Sequence, residues 1–191
     1  MEPIELLNAL HIAEKLKDET RHCYTSGGRH ESVAEHSWRA ALMVLFMKEE
    51  LQKEFPEADF DRIIKMCLIH DLGECFTGDV PVFAKTEADE QKEDEMLDAW
   101  LDTLPGGLAR ELKELYAEMN ARETPETRIF KAVDGLEAVI QHNESDIKTW
   151  EDHEYNLNLT YCEDRVQFSN YLTRLRAEIK KDTEVKISVL K

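Results

Sequence analysis

Apolar residues recur at the spacing of an α-helix along most of the chain. Ile4, Leu7 and Leu10 form one such stripe, and the apolar positions between Trp38 and Phe46 form the next. Prolines and glycines separate the further helical patterns, which cover residues 61–72, 89–104, 108–122, 127–141 and 166–181. The pattern predicts an all-α fold, in which a bundle of helices is joined by irregular connections.

Two stretches depart from the helical pattern. Residues 144–164 are acidic and contain three aromatic side chains without a clear period, which predicts a long loop or short helices packed over the bundle. Residues 183–189 alternate polar and apolar positions, which is typical of an extended strand or arm. We therefore divide the chain into one domain, residues 1–181, and a C-terminal tail or arm, residues 182–191.

The composition is that of an ordinary globular protein. The chain has 191 residues, of which 42% are hydrophobic and 34% charged, and it is long enough for one sizeable core but too short for two comfortable domains. Its longest strongly apolar stretch is far shorter than the roughly 20 residues that cross a membrane, and its amino terminus lacks a signal segment. The four cysteines include no C-x-x-C pair. These features predict a cytoplasmic protein with reduced thiols and no membrane contact.

The net charge of the chain limits the classes of molecule that it is expected to bind. A formal net charge of −17 disfavours binding to nucleic-acid polymers and to anionic membranes. One window differs, because residues 20–30 contain no acidic residue but include Arg21, His22, Arg29 and His30 together with two glycines. Composition fits two interpretations equally well, a seat for a small anion or a loop of solvated basic side chains.

The strongest chemical signal lies at the end of the predicted third helix, where His70 and Asp71 are followed by Glu74. At about 100° per residue, Glu74 falls angularly between the other two, one turn along, so that all three face one point if the helix persists. An imidazole and a carboxylate can hold a metal ion there, with Glu74 placed to handle its bound water. A lone His-Asp pair is also a common salt-bridged helix end, so this element needs support from elsewhere.

Two further elements supply candidate ligands. Ser32 and Glu35 form the S-x-x-E pattern of a helix-starting capping box, which places His36 in the first helical turn with a neutral imidazole available to a metal. Asp134 borders the apolar stripe of its helix and precedes Gly135, a pair with a propensity cost of about 1 to 2 kcal/mol relative to alanines. Local stability does not explain that pair, whereas a cation beside a buried carboxylate does. The alternative for His36 is an exposed histidine without a role, and the alternative for Asp134 is a structural salt bridge.

In this order, the four candidate ligands resemble the H…HD…D signature of the HD superfamily. The flanking motifs narrow the resemblance to the bacterial 5′-deoxynucleotidases and their eukaryotic relatives. These motifs are ESVAEHS at 31–37, HDLGE with TGD at 70–79, and KAVD at 131–134. The resemblance covers roughly residues 5–142, and its motifs are specific in combination.

The resemblance implies a single-domain helical bundle around one divalent ion, hydrolysis of (deoxy)nucleoside 5′-monophosphates to nucleoside and inorganic phosphate, and a homodimer. By matching position it implies four metal ligands, which are His36, His70, Asp71 and Asp134. It also implies that Glu74 is the acid–base residue, Arg21 a phosphate contact and Asp79 a sugar contact. The basic window adds His22 and Arg29 as candidate substrate contacts. The bacterial enzymes have tryptophan directly after the arginine, where this chain has His22.

The spacing of the histidines also predicts the number of metal ions. No histidine occurs between Asp71 and Asp134, whereas two-metal HD enzymes have extra histidines there. Two imidazoles and two carboxylates suit one Mn²⁺, Fe²⁺, Co²⁺ or Zn²⁺ ion. The same ligands would also serve a nucleotide triphosphohydrolase, a cyclic-nucleotide phosphodiesterase, or a helical scaffold without catalysis. The intact Glu74 argues against the scaffold, which has no use for a proton relay.

Overall fold

The computed structural model describes residues 1–81 and 84–189, and most of these residues are helical. The α-helices are α1 (Pro3–Ala13), α2 (Val33–Glu54), α3 (Phe60–Ile69), α4 (Glu74–Thr77), α5 (Glu87–Leu101), α6 (Gly106–Ala121), α7 (Pro125–Glu144), α8 (Glu154–Thr160) and α9 (Asn170–Ser188). The strands are β1 (Thr20–Tyr24) and β2 (His30–Ser32). The predicted all-α class is confirmed, and one small sheet is added to it.

The main core lies where α2, α3 and α7 pack together, with α9 beside them. Leu51, Ile63 and Leu136 have no exposed surface, and removing such apolar side chains from water is the main stabilising contribution of the bundle. This packing brings the start of α2, the end of α3 and the middle of α7 close to one another. The candidate ligands lie at those three places.

Helix α2 begins as the capping box predicts. The Ser32 hydroxyl accepts a hydrogen bond from the Glu35 amide, and the Glu35 carboxylate accepts one from the Ser32 amide. Two of the amides that a helix start leaves without partners are thereby satisfied. His36 therefore lies in the first turn of α2, and Glu35 serves as a cap, as expected.

The basic window at residues 20–30 forms a β-hairpin, which the sequence did not predict. β1 and β2 pair antiparallel with Tyr24 opposite His30, and Gly28 takes a left-handed φ of 82° in the connection. The amide of Gln141 in α7 donates to the Tyr24 carbonyl over 2.6 Å. The strands are too short to show a strand period. The hydrogen bond from Gln141 helps to fix the hairpin to the bundle, and it comes from a helix far along the chain.

The C-terminal segment is helical, so the extended conformation predicted for residues 183–189 is wrong. Helix α9 continues through Ser188, because the alternating pattern is overridden by contacts with α7. The buried Thr183 hydroxyl donates to the Asn143 side chain over 3.0 Å, and Lys186 Nζ donates to the Asn143 carbonyl over 2.7 Å. The last two residues of the predicted tail, 190 and 191, lie outside the described residues.

The acidic segment 144–164 contains short helices, which is one of the two predicted forms. A 3₁₀ turn covers Ile147–Thr149, and α8 follows it. Trp150 is buried between them, and its indole N–H donates to the His142 carbonyl over 3.0 Å. The segment therefore belongs to the packed body of the protein.

Several large apolar side chains face outward. Helix α1 buries none of its residues, so the stripe of Ile4, Leu7 and Leu10 is exposed. Helix α2 exposes 59% of Trp38 and 75% of Phe46. Within the described ranges, none of the helices is both long and apolar enough to cross a membrane.

Candidate metal centre and adjoining cavity

Four polar side chains from separate parts of the chain converge at one end of the bundle. His36 lies in the first turn of α2, His70 and Asp71 follow α3, and Asp134 lies in α7. The Nε2 atom of His36 is 3.3 Å from the Nε2 atom of His70 and 3.2 Å from Asp134 Oδ1. The Nε2 atom of His70 is 3.1 Å from Asp71 Oδ2. The two remaining imidazole–carboxylate distances are 3.7 and 3.9 Å.

These separations suit donor atoms that share one ion. Ligand atoms that lie about 2.0 to 2.2 Å from a common centre are roughly 3 to 3.6 Å apart. Two imidazole nitrogens with two carboxylate oxygens form a donor set for a divalent transition metal. The donor atoms of His36, His70 and Asp71 all lie within 4.8 Å of one another. The residues present therefore fit the metal that the sequence implies.

Each imidazole is oriented by a hydrogen bond at its Nδ1 atom, which faces away from the cluster. The Nδ1 atom of His70 donates to the Cys67 carbonyl over 2.9 Å, and the Nδ1 atom of His36 bonds the carboxylate of Glu137. This arrangement leaves each Nε2 lone pair directed at the centre. Burial works to lower the pKa of His70, but the carboxylates of Asp71 and Asp134 together outweigh it and raise that pKa to about 10. A metal ion and a proton therefore compete for the same nitrogen.

A network of buried and partly buried charges connects His36 to Arg21. Glu137, which bonds His36, also accepts a hydrogen bond from Arg39 Nε over 2.6 Å. Arg39 Nη2 lies 3.9 Å from the buried Glu31, and Glu31 lies 3.2 Å from Arg21 Nε without hydrogen-bond geometry. The alternating charges offset the free-energy cost of removing each charge from water. Together they hold His36 and Arg21 in place.

Close packing explains why a glycine follows Asp134. A Cβ atom at Gly135 would lie 1.9 Å from Cys162 Sγ, so a side chain there cannot coexist with the observed packing. This close approach lays the segment that follows α8 directly against α7, beside Asp134. The other oxygen of Asp134 accepts a hydrogen bond from Lys131 Nζ over 2.8 Å. Gly135 therefore lowers the helix propensity but permits a close contact with Cys162 that a side chain would prevent.

The third helix ends earlier than predicted, and the helical geometry expected from His70 to Glu74 is wrong. Helix α3 stops at Ile69, and the Glu74 amide donates to the Asp71 carbonyl in a tighter, i→i−3 turn. Such turns advance about 120° per residue, so Glu74 does not occupy the angular position expected from a continuous α-helix. It starts the short helix α4 instead and still lines the same cavity as Asp71.

Glu74 is a buried carboxyl group with an unpaired oxygen. Only 7% of the residue is exposed, and Oε2 has no hydrogen-bond partner within residues 1–81 and 84–189. Burial, together with the charges of Asp71 and Asp79, raises the pKa of Glu74 to about 9. A carboxyl group that retains its proton at neutral pH beside two aspartates is suited to proton transfer.

A cavity of about 280 Å³ adjoins the cluster and unites most of the predicted site. Six of the predicted residues line it, namely Arg21, His22, Asp71, Glu74, Asp79 and Asp134. The cavity thus has two carboxylates of the cluster, a guanidinium and a proton-holding carboxyl group on its walls. This combination can receive a small anion and transfer a proton to or from it.

The structure does not bring Arg29 to this cavity. Its side chain is 62% exposed, and Nη1 donates to a carboxylate oxygen of Glu35 over 2.8 Å. It lies at a separate, shallow depression beside Lys17 and Trp38. The hairpin therefore separates Arg29 from Arg21, although the sequence places both in one basic window.

His22 lies in a second polar group that sequence reasoning missed. Its Nε2 atom is 2.9 Å from Glu154 Oε1, and the Nε2 atom of His142 is 3.5 Å from the same oxygen. Burial lowers the pKa of His142 to about 4, so that its imidazole is neutral at pH 7. Glu154 belongs to α8, in an acidic segment without periodicity, and no local signal marks it.

The chain is similar to several known proteins. An HD domain family model matches residues 13–176. The 5′-deoxynucleotidase HDDC2 of Bos taurus is 30% identical over 143 residues, which cover 73% of this chain and 67% of that protein. The crystal structure of a predicted metal-dependent phosphohydrolase from Magnetospirillum magnetotacticum MS-1 has a TM-score of 0.78 and 25% identity, over 96% of this chain and 95% of that one. A conserved hypothetical protein from Pyrococcus furiosus has a TM-score of 0.71 and 29% identity, over 92% and 99% of the two chains.

Proposed function

Because the chain belongs to the HD domain family, we propose that it is a metal-dependent phosphohydrolase that releases inorganic phosphate from (deoxy)nucleoside 5′-monophosphates. The observation that carries the proposal is the shared cavity, which the carboxylates of the metal cluster line together with Arg21 and Glu74. Hydrolysis of a phosphate monoester uses these three parts, an ion, a cationic clamp and a proton-transfer group. The similar 5′-deoxynucleotidase supports nucleoside monophosphates as the substrate class.

The metal would be held by His36, His70, Asp71 and Asp134. When bound, a divalent ion supplies positive charge to the phosphate oxygens and lowers the pKa of water beside it. The chain's own contribution is to keep the two Nε2 atoms free for the ion, through Glu137 and the Cys67 carbonyl. We propose one ion per chain, drawn from Mn²⁺, Fe²⁺, Co²⁺ and Zn²⁺.

The remaining residues handle the phosphate, the proton and the sugar. Arg21 donates from its guanidinium to two phosphate oxygens, and the buried Glu31 beside it keeps the cation in place. Glu74, which holds its proton at neutral pH, donates it to the 5′ oxygen as the phosphorus–oxygen bond breaks, and its carboxylate then accepts a proton from the attacking water. Asp79 accepts a hydrogen bond from a sugar hydroxyl, and His22 adds a polar contact on the same cavity wall.

A product analysis tests the function. The purified protein is incubated with each candidate metal and a panel of nucleoside monophosphates, triphosphates and cyclic nucleotides. We expect inorganic phosphate from the monophosphates. Tripolyphosphate from a triphosphate would instead indicate a triphosphohydrolase, and opening of a cyclic substrate without phosphate release a phosphodiesterase. A protein that binds metal and turns over none of these substrates would be a scaffold.

We expect Arg21→Lys to lower kcat/KM on a nucleoside monophosphate by about 10- to 100-fold, because an ammonium group cannot donate two parallel hydrogen bonds to a phosphate. Arg29→Lys is the matched control, since Arg29 lies outside the cavity and should retain wild-type kinetics. Steady-state kinetics of both variants with one substrate make the comparison. Unchanged kinetics for Arg21→Lys with a loss for Arg29→Lys would move the phosphate contact to Arg29.

We further propose that the protein is a homodimer, formed through its outward-facing apolar side chains. Helix α1 exposes Ile4, Leu7 and Leu10, and α2 exposes Trp38 and Phe46. Apolar surface that leaves water stabilises an interface by about 25 cal/mol per Å². A second copy of the chain would present the same surface in return, as a two-fold interface requires.

Phe46→Glu should convert the dimer to a monomer, because a carboxylate in an apolar interface loses its hydration without gaining a partner. Size-exclusion chromatography with light scattering measures the mass. Val185→Glu is the control, since Val185 is 64% exposed on α9, away from α1 and α2 in the chain. A wild-type protein that runs as a monomer at micromolar concentration would rule out this proposal.

A further inference from the structure

Part of the cavity wall has no role in the proposed chemistry. The end of α8 and the turn that follows it contribute Leu157, Asn158, Tyr161 and Arg165 to the lining, and Val139 of α7 lies with them. None of these residues belongs to the metal cluster or to the phosphate and proton contacts. This group of five is called the α8 wall below.

Asn158 is a polar residue of the α8 wall whose side-chain nitrogen has no hydrogen-bond partner in the described part of the chain. It is 3% exposed, and its Nδ2 atom is buried without a hydrogen-bond partner among the described residues. A buried amide N–H without an acceptor is unfavourable, and most such groups in proteins are paired. A ligand in the cavity that carries a hydrogen-bond acceptor would supply the missing partner.

The backbone of the α8 wall is held from behind by a buried arginine. Arg176 of α9 is 3% exposed, and it donates through Nε to the Tyr161 carbonyl over 2.8 Å and through Nη2 to the Asn158 carbonyl over 2.9 Å. The contact between Gly135 and Cys162 fixes the same segment against α7. Burying a guanidinium costs free energy, and its hydrogen bonds to these two carbonyl groups fix the position of the α8 wall.

The remaining lining of the α8 wall suits a flat ligand. Tyr161 presents an aromatic ring, with the guanidinium of Arg165 5.2 Å from its centre, and Leu157 and Val139 add apolar surface. Aromatic rings and arginine planes stack on nucleobases, and amide side chains bind the polar edges of the bases. The cavity therefore has a charged end for a phosphate and a second region suited to a planar group with polar edges.

We propose that the α8 wall is the binding site for the nucleobase of the substrate, with Asn158 donating to an acceptor on the edge of the base. The proposal rests on the proposed function. It adds that the enzyme recognises the base of its nucleotide substrate as well as the phosphate. Asn158 acts here as a specificity residue, because it touches the leaving nucleoside and not the reacting atoms. The substrate is then a nucleotide and not a simple sugar phosphate.

The test compares nucleotides with 2-deoxyribose 5-phosphate, which has the same phosphate ester and no base. The variants are Asn158→Leu, Asn158→Ala as a smaller replacement, and Asn156→Leu as an exposed control on the same helix. For both Asn158 variants we expect kcat/KM on dAMP and dTMP to fall by about tenfold or more, as for loss of one hydrogen bond to a substrate. Activity on 2-deoxyribose 5-phosphate should stay within about twofold of wild type. The control should match wild type on all substrates.

A calorimetric titration with deoxyadenosine and thymidine gives a readout that does not depend on turnover. We expect both Asn158 variants to bind these nucleosides more weakly than the wild type. Equal loss on nucleotides and on 2-deoxyribose 5-phosphate would indicate a merely structural role and overturn the proposal. Wild-type kinetics in both Asn158 variants would overturn it as well, while leaving the proposed hydrolysis intact. If the wild type releases phosphate from none of these esters, the hydrolysis itself fails, and nucleoside binding then decides whether the α8 wall survives as a base site.

Discussion

Glu74→Gln is expected to lower kcat on a nucleoside monophosphate by about 10²- to 10⁴-fold, the usual effect of removing a general acid–base group. Glutamine retains the size of the buried side chain, whose Oε2 atom has no hydrogen-bond partner in the described part of the chain, but it cannot accept and return a proton. The metal content and substrate affinity should stay close to wild type. Kinetics, elemental analysis and substrate binding on one preparation separate these effects.

Glu87→Gln is the control for that measurement, because Glu87 lies exposed in the first turn of α5. It should behave like the wild type throughout. A wild-type kcat in Glu74→Gln would end the catalytic role of Glu74. Loss of the metal in that variant would make Glu74 a ligand instead.

The same substitution has an expected effect on stability, whose sign follows from the pKa. The pKa of Glu74 is about 9 in the folded chain, above its ordinary value of 4.5. The folded state therefore binds the proton more tightly, so the stability present below pH 4.5 is progressively lost as the pH rises towards 9. Glutamine does not titrate, so metal-free Glu74→Gln should melt at a higher temperature than the metal-free wild type at pH 7. Thermal unfolding in the presence of a chelator measures this difference.

His70→Ala is expected to empty the metal site and to abolish hydrolysis. The wild type should contain about one transition-metal ion per chain, since the cluster offers two imidazoles and two carboxylates. Losing a direct ligand should weaken metal binding by more than about 100-fold, the upper end of the effect of residues that only support a ligand. Elemental analysis after dialysis against a weak chelator reports the metal content.

His11→Ala is the matched control, because His11 is exposed at the end of α1. It should retain the metal and the activity. Normal metal retention in His70→Ala would remove the proposed site. Two ions per chain in the wild type would contradict a single-ion centre, and the group of His22, His142 and Glu154 would be the first place to look for the second ion.

The residues that support the candidate ligands differ in whether they could have been identified from the sequence. Glu137 follows Asp134 by three positions beside the same apolar stripe, so a second buried carboxylate on that helix could have been noticed. Glu31 and Arg39 carried no such signal, because isolated charged residues near a helix start are normally solvated. Arg39 owes its role to a hydrogen bond with Glu137, which is remote in the sequence, and Glu31 owes its role to Arg21 and Arg39, which the fold brings to it from either side.

The binding residues divide in the same way. The basic window identified Arg21 and Arg29 together, and the hairpin then placed only Arg21 at the cavity. Asn158 lies in a segment without a helical period, so nothing local marks it as a cavity residue. Its backbone carbonyl is bound by Arg176, and the close approach at Gly135 holds the following segment against α7; both residues lie beyond the reach of a local sequence pattern.

Most of the helices, the capped start of α2 and the order of the candidate ligands could be predicted from the sequence, because helical periodicity and capping depend on residues three or four positions apart. Which polar side chains meet could be seen only in the folded chain. It ended α3 before Glu74, paired the strands of the basic window, continued α9 past residue 183, and laid the segment after α8 against α7. Each of these outcomes depends on packing and hydrogen bonds between distant parts of the chain, and such contacts leave no period in the local sequence.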